Sequence, residues 1–256
     1  MSKTIIVTSA IGGVGKSSIS SLLALNLSKD KKVLIVDGNN GRRTLDLIFN
    51  MEDDIFYTIA DYDNERVEIE DIFYEVADRL FLLSATQQFN RTNIVDVVER
   101  INGSVEFDYI IVDLPSEYYI EQSDKFKDYT TLLISDLSIY SIRSTENIVY
   151  RLKKNMNFNY RTILNRITEE EKNNLDRDTV EEYNDYNDLN IVSLLPKNEK
   201  LFSGIYEGGL LNSEEDKYIS LIDNIIENID NVEDNYLDFK NYRFQKSFFK
   251  RLFNRD

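Results

Sequence analysis

The chain has 256 residues, a net charge of −16, 42% hydrophobic and 30% charged residues, which suits a single α/β domain with a substantial core. It contains no cysteine and no histidine, which excludes disulfides, thiolate centres, histidine metal ligands and histidine acid–base chemistry. So acidic a body repels nucleic acid, and no basic patch within it offsets the charge, so no nucleic-acid partner is expected.

The first predicted element is a short β-branched strand, Ile5-Ile6-Val7, which runs into Thr8-Ser9-Ala10-Ile11-Gly12-Gly13-Val14-Gly15-Lys16-Ser17-Ser18. Ile19, Leu22, Leu23, Leu25 and Leu27 then give an amphipathic helical pattern. Strand, glycine-rich loop and helix in that order are the context of a phosphate-binding loop. Gly12, Gly13 and Gly15 let backbone N–H groups of the loop, through Val14 to Ser18, turn inward around an anion at the helix N-terminus. Lys16 would reach the outer phosphates, and the Ser17 hydroxyl would ligate magnesium. The general pattern G-x-x-x-x-G-K, followed by Ser or Thr, is met except at its first position, which is Ala10.

A second strand is predicted at 32–37, ending in Asp37, and a turn-forming segment, Gly38-Asn39-Asn40-Gly41-Arg42-Arg43-Thr44-Leu45-Asp46, follows it. Residues 52–79 are acidic and tyrosine-bearing and read as a mostly solvated helical face. A strand is expected at 80–85 and a helix at 92–101. Residues 107–112 then form an apolar strand ending in Asp113, the pattern of a Walker B aspartate that holds magnesium near the phosphates. Further strands are expected at 129–135, 160–166 and 190–196. Helices are expected at 138–155 and at 213–229, the latter with Ser213 as its N-cap, and 168–188 reads as an exposed helix plus loop.

These motifs together resemble the MinD/ParA deviant-Walker-A P-loop ATPases, MinD-like members in particular. Val-Thr-Ser-x-x-Gly-Gly-Val-Gly-Lys-Ser matches their loop, and Asp37, Gly41, Arg43, Leu45 and Asp46 match their switch segment, D-x-D-x-G-x-R-x-L-D. The resemblance runs from residue 5 to residue 253. It implies an α/β fold with a mostly parallel central sheet and helices on both faces, and it implies ATP and Mg2+ as ligands. It implies that Asn165 and Arg166 form the adenine-reading pair and that Pro196 lines the adenine pocket. The amide of Asn165 offers a donor and an acceptor together. Four positions depart from the family pattern. Ile11 stands where the signature lysine belongs, Asn39 where a water-placing aspartate belongs, Glu117 where a glycine approaches the terminal phosphate, and Ser144 where an aspartate sits at the dimer interface. Lys16 and Asn39 are the residues assigned to catalysis, Asn39 without the charge or basicity of the family's aspartate.

From 230 to 241 the chain is an acidic linker, and 242–256 is a basic tail. Placed on a helical wheel, Phe244, Phe248, Phe249, Leu252 and Phe253 share one half, while Lys246 and Lys250 lie opposite and Arg251 flanks the boundary. That is the pattern of a helix lying in a membrane interface rather than spanning it. No run approaches the ~20 apolar residues of a membrane span, and no signal peptide is visible. The expectation is a cytoplasmic protein, peripheral on the inner face of the cell membrane. It would comprise an ATPase domain at 1–229, a linker and an anchor.

Each cation near an anionic surface is worth about 1 kcal/mol, against an ordering cost of about 1 kcal/mol per residue. One tail therefore binds marginally, and two tails joined in a homodimer gain ~10²–10⁴-fold. By resemblance the partners are ATP or ADP, a septation inhibitor or a topological-specificity protein, and the role is septum placement. Two other readings stand beside this one. A non-hydrolysing membrane scaffold is motivated by the four departures. A DNA-partitioning ATPase is disfavoured by the charge.

Overall fold

A computed structural model describes residues 2–87, 93–155, 158–175, 177–198 and 216–230. The expected linker from residue 231 on, the basic tail with the residues expected to face a membrane, and Ser213 lie outside the described residues.

Eight strands form one sheet in the order β3-β4-β2-β5-β1-β6-β7-β8. They are β1 (Lys3–Thr8), β2 (Val33–Asp37), β3 (Tyr74–Ala77), β4 (Leu80–Leu83), β5 (Tyr109–Asp113), β6 (Thr130–Ser135), β7 (Asn159–Ile167) and β8 (Ile191–Pro196). Every described pairing is parallel except β3 with β4. The strands read as continuous apolar runs because both faces are covered. On one face Ile5, Val7, Ile35, Ile111 and Leu132 pack under α1 (Lys16–Leu27) and the closing helix at Asp216–Asp230. On the other, Ile6, Leu34, Val36 and Val112 pack under α4 (Ile94–Ser104) and α6 (Ile139–Asn155). The shorter helices α2 (Leu45–Phe49), α3 (Ile59–Asp63) and α5 (Ser116–Glu121) lie between them in sequence.

The expected strands are present, with ends shifted by one or two residues. The expected helix at 92–101 runs Ile94–Ser104, with the Asn93 side chain accepting from the Asp96 N–H. Segment 52–79 differs more. It holds α3, a 3₁₀ turn at Ile69–Ile72 and the antiparallel strand β3, and it buries Ile59 and Ile72 completely. The hairpin turn before β4 uses Asp78-Arg79, with Arg79 at φ 62°. That pair lacks the glycine or asparagine that ordinarily announces such a turn. Segment 168–188 forms two helices, α7 (Glu169–Asn174) and α8 (Arg177–Asn187). Thr168 and Glu171 cap α7 reciprocally, and α8 buries Val180 in a small core with Leu164 and Ile191.

The sheet brings the carboxyl ends of β2 and β5 together. Asp37 and Asp113 are register partners, and the ladder extends one step, as the Gly38 N–H donates to the Asp113 carbonyl at 2.9 Å. A Cβ on Gly38 would lie 2.4 Å from Leu114 Cδ2 and 2.8 Å from the Asp113 carbonyl oxygen. A Cβ on Gly103, within α4, would meet nothing within 4 Å. Gly38→Ala is therefore expected to lower stability by about 1–3 kcal/mol. Gly103→Ala should leave it unchanged or raise it by up to about 1 kcal/mol. Urea unfolding of the two variants beside the parent checks this, and equal midpoints would refute the close approach at Gly38.

A candidate nucleotide site built on two buried carboxylates

The glycine-rich loop joins β1 to α1. Gly13 and Gly15 take φ of 83° and 95°, a region L side chains rarely adopt. Gly15 is the N-cap of α1 and offers no side-chain acceptor, and the first turn carries no acidic residue. The N–H groups and the dipole of that turn therefore face the mouth of the loop. The loop is braced from β7. Asn165 Nδ2 donates to the Val14 carbonyl at 2.8 Å, and Arg166 Nη1 donates to the Gly13 carbonyl at 2.6 Å. Since a trans peptide points its N–H opposite its carbonyl, these bonds turn the N–H groups of Val14 and Gly15 away from β7. Val14 itself is buried, while Gly12 and Gly13 are exposed and Ser18 is half-buried.

At the centre lies Asp113, with no solvent exposure. Its Oδ1 accepts from Lys16 Nζ at 2.6 Å and Ser20 Oγ at 3.2 Å. Its Oδ2 accepts from Ser17 Oγ at 2.6 Å and Asn39 Nδ2 at 2.8 Å. Asp37 is equally buried. Its Oδ1 accepts from the Asn39 N–H at 2.9 Å and from Asn39 Nδ2 at 3.0 Å. Its Oδ2 accepts from the Thr44 and Leu45 N–H groups at 2.7 and 2.9 Å. The Asn39 carbonyl oxygen, Oδ1, accepts from Lys16 Nζ at 3.3 Å. One nitrogen thus lies within 3.0 Å of both carboxylates. Two unit charges ~6 Å apart repel by roughly 3 kcal/mol at an effective dielectric of ~20, which the donors must offset.

The switch motif has a structural pair of its own. Arg43, at φ 39°, meets Asp46 at 2.6 Å. Burial lifts the Asp46 carboxyl above its ordinary range, and the Arg43 guanidinium beside it pulls it back.

Sequence reasoning placed Gly12, Gly13, Val14, Gly15, Lys16, Ser17, Ser18, Asn39 and Asp113 at one site, and the fold brings them to the carboxyl ends of the central strands. Asn165 and Arg166 end β7 beside the loop, and Pro196 ends β8 opposite Ile167 of β7. Asn165 is 1% exposed, and its Oδ1 is buried without a hydrogen-bond partner. Such an orphan acceptor fits a ligand that brings a donor, such as the exocyclic amine of adenine. The oxygen-only set of Ser17 and Asp113 fits magnesium, which takes a carboxylate and a hydroxyl alongside phosphates and water. Ile11 is partly buried and packs on the α1-side core. Glu117 is exposed in the first turn of α5, and Ser144 is half-buried on α6. The role of Ser20 was not legible. It reads as one more position on a buried helix face, and only the fold shows it beneath Asp113.

Comparison with known proteins agrees with this fold. The septum site-determining protein MinD of Helicobacter pylori is 28% identical over 269 aligned positions, covering 99% of this chain and all of that protein. The Aquifex aeolicus MinC:MinD cell division protein complex contains a chain that superposes with a TM-score of 0.74 at 26% identity, covering 96% of this chain and 98% of that one. The MinD of Pyrococcus horikoshii, solved with Mg-ADP, shares the fold with a TM-score of 0.75 at 20% identity, over 91% and 97% of the two chains. The model of the CobQ/CobB/MinD/ParA nucleotide binding domain matches residues 5–211, and the chain belongs to that family.

Proposed function

We propose that the chain is a MinD-like ATP-binding protein that docks on the inner membrane surface and takes part in placing the division septum. The observation that carries the nucleotide reading is the convergence of Lys16, Ser17 and Asp113 beneath an uncapped helix N-terminus. In this reading Lys16 leaves Asp113 to meet the outer phosphates, and the loop N–H groups cradle the inner ones. Ser17 and Asp113 hold Mg2+, which supplies charge neutralisation to the phosphates when bound. Asn165 and Pro196 contact adenine, with Arg166 steadying the loop. Among the described residues no helix is long and apolar enough to cross a membrane, and the basic aromatic tail is assigned to membrane docking. Nucleotide-dependent dimerisation would pair two marginal tails and so switch attachment. Likeness to a chain from a MinC:MinD complex supports a septation inhibitor as a partner.

A second reading, a relative that binds nucleotide without turning it over, is favoured by Asn39. Both N–H bonds of its amide are committed to Asp37 and Asp113, and an amide cannot accept a proton from an attacking water.

Lys16→Ala is expected to weaken binding of a fluorescent ATP analogue by tenfold or more, about 1.4 kcal/mol, and unchanged affinity would refute the site. Removal of residues 242–256 should abolish sedimentation with anionic vesicles while leaving nucleotide affinity intact. Full-length protein should pellet several-fold more with ATP than with ADP or with no nucleotide, by the avidity of paired tails. Equal pelleting in all three states would replace the switch with a constitutive anchor. Lipid-stimulated phosphate release well above that of Lys16→Ala would exclude the second reading.

A further inference from the structure

Each of the four carboxylate oxygens of Asp37 and Asp113 receives two hydrogen bonds from the chain itself. Asn39 is the only side chain that donates to both carboxylates among these bonds. The amide orientation is dictated by its surroundings. Turned over, it would set its oxygen against two carboxylates and its NH₂ against the Lys16 ammonium. We propose that Asn39 is a positioning residue that does, without charge, what a bridging cation does between clustered carboxylates. It ties Asp37 of the switch segment to Asp113 of the neighbouring strand, so the segment from Gly38 to Leu45 docks on the sheet with no metal required.

Three further features fit this role. The backbone of the same segment is already fastened to the cluster by the N–H groups of Asn39, Thr44 and Leu45. Gly38 permits the close approach that brings Asn39 over Asp113. Lys16 supplies the one cationic group seen among these contacts. An aspartate at 39 would converge as a third carboxylate on this single ammonium, and the cluster would then need a divalent ion to hold together. That the ion would be magnesium rests on the proposed function, whereas the docking role rests on the contacts alone. Nucleotide is therefore left out of the test, so the failure of one reading leaves the other standing.

The experiment is thermal unfolding of the full chain, without nucleotide, in EDTA and then in millimolar MgCl₂, for the parent, Asn39→Asp and Asn39→Ala. The parent is expected to melt at the same temperature in both. Asn39→Asp should melt at least about 4 °C lower in EDTA, given the shift expected for a protein of this size, and recover at least half of the loss in MgCl₂. Asn39→Ala should melt lower than the parent, equally in both conditions. Magnesium stabilising the parent as much as Asn39→Asp would overturn the proposal, as would Asn39→Asp melting like the parent in EDTA. Should Asn39→Asp not fold in either condition, the parent and Asn39→Ala decide. A magnesium-dependent parent, or an Asn39→Ala protein as stable as the parent, refutes the proposal, and the opposite pair of results supports it.

Discussion

Burying a carboxylate is expensive unless its lone pairs are met, and this fold buries two at the ends of adjacent strands. Much of the local sequence answers that demand. Helix α1 carries Lys16, Ser17 and Ser20 on the side facing Asp113, which explains why polar residues are tolerated on a helix enclosed by core. The loop after β2 spends its backbone on Asp37. Helix, loop and two strands are thereby fixed to one another at the carboxyl ends of the central strands, where phosphate is expected to bind. In the proposed function Lys16, one of the donors that stabilise these carboxylates, would turn to the nucleotide, and the carboxylate and hydroxyl oxygens would turn to its cation. On that proposal, binding would be an exchange of partners within a ready-made polar cluster, with Lys16 the group that changes allegiance.

Much of the architecture was legible in the chain. The strands along the centre of the sheet are unbroken β-branched and leucine runs, and their punctuation by Gly12-Gly13, by Asp37-Gly38 and by Asp113-Leu114-Pro115 marks the carboxyl ends where the site assembles. What escaped notice was local and weakly encoded. The strand Tyr74–Ala77 is four residues long, too short to show an alternation. It is held by Leu80–Leu83 and by a turn whose left-handed residue is an arginine. Its strand character comes from its neighbour, not from its own propensity. Helix α8 hides one valine behind a highly charged face, a stripe too narrow to separate from a solvated helix.

The site was legible by residue type and less so by role. Asn165 and Arg166 carry the expected identities, yet their hydrogen bonds go to loop carbonyls. A sequence motif can assign a residue to binding without revealing that it shapes a neighbouring loop. Asn39 is the sharper case. As a departure from a family pattern it looks like a loss of basicity. In three dimensions the amide has two donors where an aspartate has none, and both are used. Hydrogen-bond polarity cannot be read from a one-letter substitution until the partners are in place.

The closing helix at Asp216–Asp230 packs against α1, and Asp223 hydrogen-bonds to Asn26, 197 residues away in sequence. Among the described residues, one face of the first helix, the helix that follows the glycine-rich loop, is completed by this late segment. During synthesis the loop and its helix emerge well before their covering helix, whose Asp223 follows Asn26 by 197 residues. Contacts so distant carry a high loop-closure entropy and slow the final consolidation. A ribosome-bound chain halted before that helix would leave this face of α1 without its covering layer, so the nascent protein gains its protection from aggregation late.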